Sequence, residues 1–363
     1  MQDICYNHFM RILLITDLYP VSEKERTTPR TLYDFVKGWE AAGHEVSVIK
    51  PNFILNSFIR KKPFYKTGQY GNVFNVNYFT PFMFNVENKL PEITTDLIIA
   101  HMPSGILFSD KLDIPFVAGI HNSDIEVLTK PQYSFYFRAR LEQALFRAPL
   151  IACRSFVLRD KLLRMYPQFR DKTFVAPSGI DARLIKPVRE KNFGKTLKVL
   201  TCANFKKRKN IDKLIYALKG LEGFELTVIG DGDGRRELQK IDSSVKFTGA
   251  LPHDEVMDKM SEADVFVLPS VGETFGMVYL EAMAAGCITV GTKADGIDGI
   301  IKDGENGFLV YPTVEDIRQT LLSIKNLNSD ELKSLRCNTF NTINRYTSEA
   351  CAEDYLDQIF KFL

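Results

Sequence analysis

Two glutamates stand eight residues apart in Ser270-Val-Gly-Glu-Thr-Phe-Gly-Met-Val-Tyr-Leu-Glu-Ala-Met-Ala-Ala-Gly286, Glu273 in a glycine-bearing loop and Glu281 inside an apolar helical run. The loop follows a strand-like stretch, Ala263-Asp-Val-Phe-Val-Leu-Pro269, and the helix carries Met277, Val278, Leu280, Met283 and Ala284. A carboxylate on an apolar helix needs a partner, because burying it unpaired is costly. A helix start beside glycines offers open N–H groups and partial positive charge, which suits a phosphate. Carboxylates accept hydrogen bonds from sugar hydroxyls. Taken alone, the pair is better explained as a solvated loop carboxylate and a structural ion pair, so the neighbouring segments decide.

Asn204-Phe-Lys-Lys-Arg-Lys-Asn210 lies between a strand end and a helix start, and its four consecutive cations suit an anion. A solvated basic turn is the competing explanation. Gly230-Asp-Gly-Asp-Gly-Arg235 also follows a strand and precedes a helix, where glycines allow a tight turn against a ligand. Its Asp231 and Asp233 mimic an Asp-x-Asp metal site, but a structural turn explains them better, and no catalytic metal or other cofactor is expected.

These segments need a scaffold. Apolar strands and helical patterns alternate along the chain, which indicates parallel α/β sheets. Strands are predicted at 11–16, 43–50, 96–100, 115–119, 150–152 and 173–176, with helices at 29–42 and 136–147. The rhythm restarts with strands at 197–202, 225–229, 245–248, 265–268 and 288–290, and helices at 211–218, 235–240, 253–261 and 275–285. The final stretch, 348–363, has an amphipathic stripe at Ala352, Tyr355, Leu356, Ile359 and Phe360. At 363 residues the chain suggests two domains. They are expected at 10–185 and 186–347, joined in the polar stretch 181–192, with residues 1–9 a disordered extension. Two doubly wound domains facing each other leave a cleft at the carboxyl ends of their strands.

Composition excludes several classes. A formal net charge of +2 argues against a nucleic-acid binder. The six cysteines are scattered with no CxxC pair, which favours free thiols in a reducing cytoplasm. No apolar run is long enough to span a membrane, and the first nine residues lack a signal-peptide pattern.

The chain resembles the retaining, family-four glycosyltransferases of the GT-B fold. The matching segments run in order: Lys209-Asn-Ile-Asp-Lys-Leu-Ile, Val228-Ile-Gly-Asp-Gly, Val245-Lys-Phe-Thr-Gly-Ala-Leu, Ala263-Asp-Val-Phe-Val-Leu-Pro-Ser, the Glu273 and Glu281 motif, and Asp303-Gly-Glu-Asn-Gly-Phe-Leu-Val310. Fainter matches in the first half are Ala42-Gly-His-Glu-Val, His121-Asn-Ser-Asp124 and Pro177-Ser-Gly-Ile-Asp181. The resemblance implies two Rossmann-like domains, with the C-terminal helix crossing back to the first. It implies a metal-independent hexosyl transfer from a nucleotide-diphosphate sugar to a saccharide or lipid-linked acceptor, in surface polysaccharide or glycolipid assembly.

Residue by residue, the resemblance makes Lys209 the neutraliser of the donor diphosphate and Glu273 the group near the donor sugar and reaction centre. Thr274, Phe275, Gly276 and Met277 match the loop that meets sugar and distal phosphate, and Glu281 the ribose anchor. Ala250 and Leu251 match the base position, Gly230 the glycine turn, and His121 the histidine against the donor sugar. The family arginine before Lys209 is Asn204 here, so Lys206 or Arg208 is the candidate replacement. The family Gly-Gly after the first strand is Thr27-Thr28-Pro29, which points to unusual acceptor handling. A glutamate frequent in the family is Gly299 in Asp295-Gly-Ile-Asp-Gly299.

On the acceptor side, residues 52–66 mix aromatics with a basic cluster suited to an anionic membrane face. Residues 1–185 carry 23 Lys and Arg against 18 Asp and Glu, leaving 24 against 27 beyond. A cytoplasmic protein, peripheral on the inner face of the membrane, is the expectation, with an ordinary packed loop as the competing explanation. The rivals to catalysis by this route are a non-catalytic partner subunit of the same fold and a metal-dependent Asp-x-Asp transferase.

Overall fold

The computed structural model describes residues 9–22, 24, 25, 28–55, 64–79, 93–112, 114–133, 137–188 and 193–362. Residues 1–8 of the expected N-terminal extension, Thr27, and the centre of the basic aromatic stretch lie outside the described residues. The chain forms two compact units, Met1–Arg154 with Leu158–Pro177 and Ser348–Leu363, and Ser155–Val157 with Ser178–Thr347.

The first unit holds strands β1 (Arg11–Ile15), β2 (Glu45–Phe53), β3 (Gly68–Tyr70), β4 (Val73–Tyr78), β5 (Leu97–His101), β6 (Val117–Ile120), β7 (Leu150–Cys153) and β8 (Thr173–Val175). Their spatial order is β3-β4-β2-β1-β5-β6-β7-β8. All pairs are parallel except β3 with β4. The inner strands are continuous apolar runs, as a sheet covered on both faces requires; β5 to β7 are buried throughout. Between the strands run α1 (Thr31–Ala41), α2 (Met102–Asp110), α3 (Asn122–Thr129), α4 (Ala139–Arg147) and α5 (Phe156–Met165).

The second unit repeats the plan. Its elements are β9 (Leu197–Cys202), α6 (Ile211–Leu218), β10 (Phe224–Ile229), α7 (Arg235–Ile241), β11 (Lys246–Gly249), α8 (His253–Glu262), β12 (Val265–Val267), α9 (Met277–Ala284), β13 (Ile288–Thr292), β14 (Phe308–Val310), α10 (Val314–Lys325) and α11 (Ser329–Ile343). The sheet order β11-β10-β9-β12-β13-β14 is parallel throughout. Two Rossmann-like parallel sheets are thus what the alternating pattern predicts and what the chain forms.

The last helix, α12 (Ser348–Phe360), belongs to the first unit. Its buried residues include Ala352, Tyr355, Leu356 and Ile359 of the predicted stripe. Trp39 Nε1 donates to Ala352 O at 2.9 Å. A Cβ on Gly38 would lie 2.4 Å from that of Ala352, so α1 accepts the helix closely only because residue 38 lacks one. Phe35 and Trp39 meet the Tyr355 ring edge-on at 5.2 and 5.6 Å.

The passage into the second unit comes at Ser178, ahead of the polar stretch where a linker was expected. The reason is backbone pairing: Ile180 N donates to Tyr346 O and Lys186 N to Ala284 O, which ties 180–186 to the second unit. Strands β3, β4 and β14 and helices α2, α3, α5, α10 and α11 were not expected. The short strands have too few residues to show a period, and α2 (MPSGILFSD) carries proline and glycine in its first turn. The starts of α10 and α11 carry local signals that sequence reading passed over: Thr313 caps Asp316 N, and Asn328 and Glu331 close a capping box.

Candidate functional site

In the second unit the chain reverses direction across the sheet between β9 and β12, with β10 and β11 on one side and β13 and β14 on the other. Ligands of open parallel sheets bind outside the strand ends at such a switch point. The two loops that leave β9 and β12 are the basic turn, 203–210, and the glutamate loop, 268–276.

Backbone geometry laces them together. Val271 N donates to Arg208 O at 2.8 Å, and Asn210 Nδ2 donates to Pro269 O at 2.8 Å. Asn210 adopts a left-handed conformation (φ 49°), which asparagine tolerates better than most residues. The 3-10 turn Lys207–Lys209 then points two cations at one carboxylate. Arg208 Nη1 and Lys209 Nζ donate to Glu273 Oε1 at 2.6 and 2.7 Å, and Ser270 Oγ donates to the same oxygen. Burial pushes the Glu273 carboxyl up, but the charge and hydrogen bond of Lys209, with Ser270 and Arg208, outweigh it and hold it below the usual range. Of the two candidate replacements for the missing family arginine, Arg208 is the one seated beside Lys209.

A residue that sequence reasoning passed over organises this loop. Asp295 takes Glu273 N on both carboxylate oxygens at 3.1 Å and Gly272 N on Oδ1 at 3.0 Å. Burial pushes its carboxyl up against those N–H bonds, which favour the anion. Gly296 passes so close that a Cβ there would lie 2.8 Å from Phe275 N. The helix was expected from Phe275 but begins at Met277, because Gly276 turns the chain with φ 92°. Thr274 and Phe275 therefore precede the helix, Phe275 is buried, and Met277 opens it.

Glu281 finds its partner in His253, whose Nε2 lies 3.2 Å from Oε1, and that hydrogen bond raises the His253 pKa. His253 starts α8 two residues after Leu251, so the segment carrying Ala250 and Leu251 and the glutamate on α9 are linked through it. His253 itself was not singled out from the sequence.

Gly230 ends β10 with φ 128°; a Cβ there would sit 1.9 Å from Ala203 O. The turn packs on the Asn204 segment, with Phe205 N donating to Asp231 O at 3.0 Å. Asp231 accepts from Gly232 N and from Arg235 Nη1, a turn and a salt bridge. Asn204 is thus built into the glycine turn.

His121 belongs to the first unit and follows β6. It is buried, its N–H donates to Asp124 Oδ2 at 2.8 Å, and its Nε2 lies 2.9 Å from His101 Nδ1. The first strand's loop has a device of its own in place of the family glycines: buried Glu25 accepts from Val21 N and Thr28 Oγ1, and Lys50 Nζ donates to Asp17 O at 2.7 Å.

That unit also has a switch point, between β2 and β5 around β1. A cavity of about 460 Å³ opens there, lined from the first unit alone by Asp17, Ser104, Leu107, Tyr133, Phe137 and Arg140 among others. Ser104 Oγ donates to Asp17 Oδ1 at 2.8 Å. Its size suits a small ligand. Among the described residues, no helix is long and apolar enough to cross a membrane.

Comparison with known proteins adds to this geometry. Residues 28–184 match the model described as Glycosyltransferase Family 4, and residues 185–341 the one described as Glycosyl transferases group 1. An uncharacterised glycosyltransferase of Methanocaldococcus jannaschii is 28% identical over 268 residues, 70% of this chain and 72% of that protein. A putative colanic acid biosynthesis glycosyltransferase, WcaL of Escherichia coli K12, is 28% identical over 265 residues, 65% of this chain and 63% of its own. Two further curated relatives are matched over only about half their length. In fold, the chain is similar to sucrose-phosphate synthase of Thermosynechococcus elongatus (TM-score 0.71, 19% identity, 97% and 98% of the two chains). It is also similar to Anabaena HepE in complex with UDP and glucose (TM-score 0.68, 18% identity, 97% and 100%).

Proposed function

We propose, from the premise that this chain belongs to the GT-B glycosyltransferases, that it moves a sugar from a nucleotide-diphosphate donor to a saccharide or lipid-linked acceptor with retention of configuration. The observation that carries the reading is the convergence of Arg208 and Lys209 on Glu273 at the switch point of the second unit. Two cations fixed beside a helix start form a preorganised site for a leaving diphosphate, and such fixed charge is the largest single contribution in many enzymes.

The roles follow. Lys209 and Arg208 neutralise the diphosphate, together with the N-terminal end of α9 behind Thr274, Phe275, Gly276 and Met277. Glu273 orients both cations and lies beside the donor sugar, Glu281 takes the ribose hydroxyls, and Ala250 and Leu251 border the base. Gly230 and Asn204 shape the approach. In the first unit, His121 meets the donor sugar, and the cavity beside Asp17 seats the acceptor, its apolar wall against a sugar face and its polar groups on hydroxyls.

Transfer proceeds at the front face. The bond from the anomeric carbon to the diphosphate oxygen breaks, and the acceptor oxygen bonds to that carbon from the same side. The acceptor's hydroxyl proton passes to the departing phosphate oxygen, so no protein nucleophile takes part. No metal is required: the acid of the glycine turn nearest to a metal-site pattern, Asp231, already pairs with Gly232 N and Arg235. Similarity to WcaL, a putative colanic acid biosynthesis glycosyltransferase, supports an acceptor in polysaccharide assembly, and the aromatics and cations of residues 52–66 support a protein peripheral on the cytoplasmic face of the membrane.

A panel of UDP- and GDP-sugars, assayed for donor hydrolysis and for transfer with and without EDTA, tests the proposal. Metal-independent turnover of one donor supports it. Nucleotide-sugar binding without turnover on any acceptor would favour the rival, a non-catalytic subunit of the same fold.

A further inference from the structure

Three side chains of the first unit form one buried line of hydrogen bonds. His121 Nε2 lies 2.9 Å from His101 Nδ1, and His101 Nε2 lies 3.0 Å from the Tyr355 hydroxyl, 254 positions away in sequence. The rings meet edge-on, with centroids 5.2 and 5.9 Å apart. Space for the central ring comes from Gly119, where a Cβ would lie 2.1 Å from His101 Nδ1.

Burial pushes both imidazoles well down, and the positive charge of Arg154 adds to this, so neither ring carries charge near neutral pH. Each neutral ring has one N–H and one acceptor nitrogen, so the three groups share their protons in one direction along the line and a change at Tyr355 reaches His121. The backbone of His121 is held separately, its N–H donating to Asp124 Oδ2 and its carbonyl accepting from Asp124 N.

We infer that Tyr355 and His101 are positioning residues for His121: through the Tyr355 hydroxyl, the C-terminal helix fixes the tautomer and plane of the imidazole that works against the donor sugar. The inference rests on the role given to His121 above, but its physical content does not. A helix that only braced α1 would be served as well by phenylalanine at 355. With Tyr355→Phe, His101 Nε2 loses its partner, and the proton positions on both rings are no longer fixed by the line.

The test reads the histidines directly. Long-range ¹H–¹⁵N spectra of ¹⁵N-histidine-labelled full-length protein should show each ring as a single tautomer. In Tyr355→Phe both signals should move or broaden into tautomer exchange, and kcat with the donor chosen by the sugar panel should fall about three- to tenfold, the value of one hydrogen bond. His101→Gln is the conservative rescue, since its amide can donate to one neighbour and accept from the other. It should keep the His121 tautomer where His101→Leu loses it. These two variants carry the test if Tyr355→Phe does not fold. Unchanged His121 signals in Tyr355→Phe, or in His101→Leu, overturn the positioning role whatever the turnover. Full turnover in His121→Ala, with the spectra as expected, instead overturns the role of His121 in transfer.

Discussion

Lys209 Nζ lies 2.7 Å from Glu273 Oε1, and each side chain keeps 13% of its surface in solvent. Burial to this extent makes the pair costly to break, about 3–5 kcal/mol when one partner of a buried pair is removed. The same enclosure makes the cation effective toward a diphosphate, because interactions strengthen as water is excluded. One contact therefore links the stability of the second unit to its chemistry.

Lys209→Ala should lower kcat/KM by about 30- to 1,000-fold, equivalent to the 2–4 kcal/mol of a lost transition-state donor. Arg208, on the same oxygen, should keep the variant folded. Steady-state kinetics beside a thermal melt decide it. A folded Lys209→Ala enzyme with wild-type kcat/KM removes the role.

The same pair sets a pH dependence. The folded Glu273 carboxyl titrates below its ordinary range because of Lys209, Ser270 and Arg208, whereas an unfolded glutamate titrates at about 4.3. Between those values the unfolded chain binds more protons, so stability rises with pH there. The contribution is complete above the unfolded pKa and is lost as the pH falls through the folded one. Glu273→Gln should flatten this limb. Urea midpoints measured between pH 3 and pH 6 should fall less steeply toward acid than in the wild type, and parallel curves would refute the assignment.

Asp295→Asn replaces an acceptor with an amide that puts its own N–H groups near Gly272 N and Glu273 N. Unmatched buried groups cost about 1–3 kcal/mol. If the loop they hold meets the donor, donor KM should rise about 5- to 100-fold with a smaller change in kcat. Isothermal titration with UDP and with GDP gives an independent reading, and unaltered nucleotide affinity and KM would confine Asp295 to folding.

His253 and Glu281 offer a spectroscopic check. Their hydrogen bond raises the His253 pKa, so Glu281→Gln should bring it back toward about 6.5. NMR titration of the imidazole measures this. Nucleotide should lose affinity in the same variant if Glu281 holds ribose hydroxyls, whereas a pKa change with full affinity would leave Glu281 as a partner for His253 alone.

Much of this site was legible because parallel topology places strand-end loops together. Once β9 and β12 were recognised as strands, the loops carrying Lys209 and Glu273 had to leave the same sheet edge. Local signals carried the final helix as well, whereas the turn at Gly276 was read as helix. What stayed hidden were contacts with no local period. Asp295 holds backbone N–H groups 22 and 23 positions away, and any acid in a loop of suitable length would read the same. His101 and Tyr355 sit inside apolar runs where a buried strand and an amphipathic helix explain them fully. Only three-dimensional proximity turns them into partners of His121.

The cavity of the first unit gives the sharpest test of the acceptor side. Leu107 and Phe137 are half-buried on its wall, so each loses contact area with a bound sugar or aglycone if shortened. Burying an aromatic side chain of this size contributes about 1.5–3 kcal/mol, which converts to roughly 10- to 100-fold in affinity. Phe137→Ala should raise acceptor KM by about that factor, and Leu107→Arg should raise it by replacing an apolar wall with a long charged side chain. Neither residue belongs to the donor loops, so donor hydrolysis in the absence of acceptor should keep its rate and its KM. Both quantities come from one set of assays on each variant. An increase confined to acceptor KM assigns the cavity to the acceptor, whereas unchanged acceptor KM in both Phe137→Ala and Leu107→Arg rejects it.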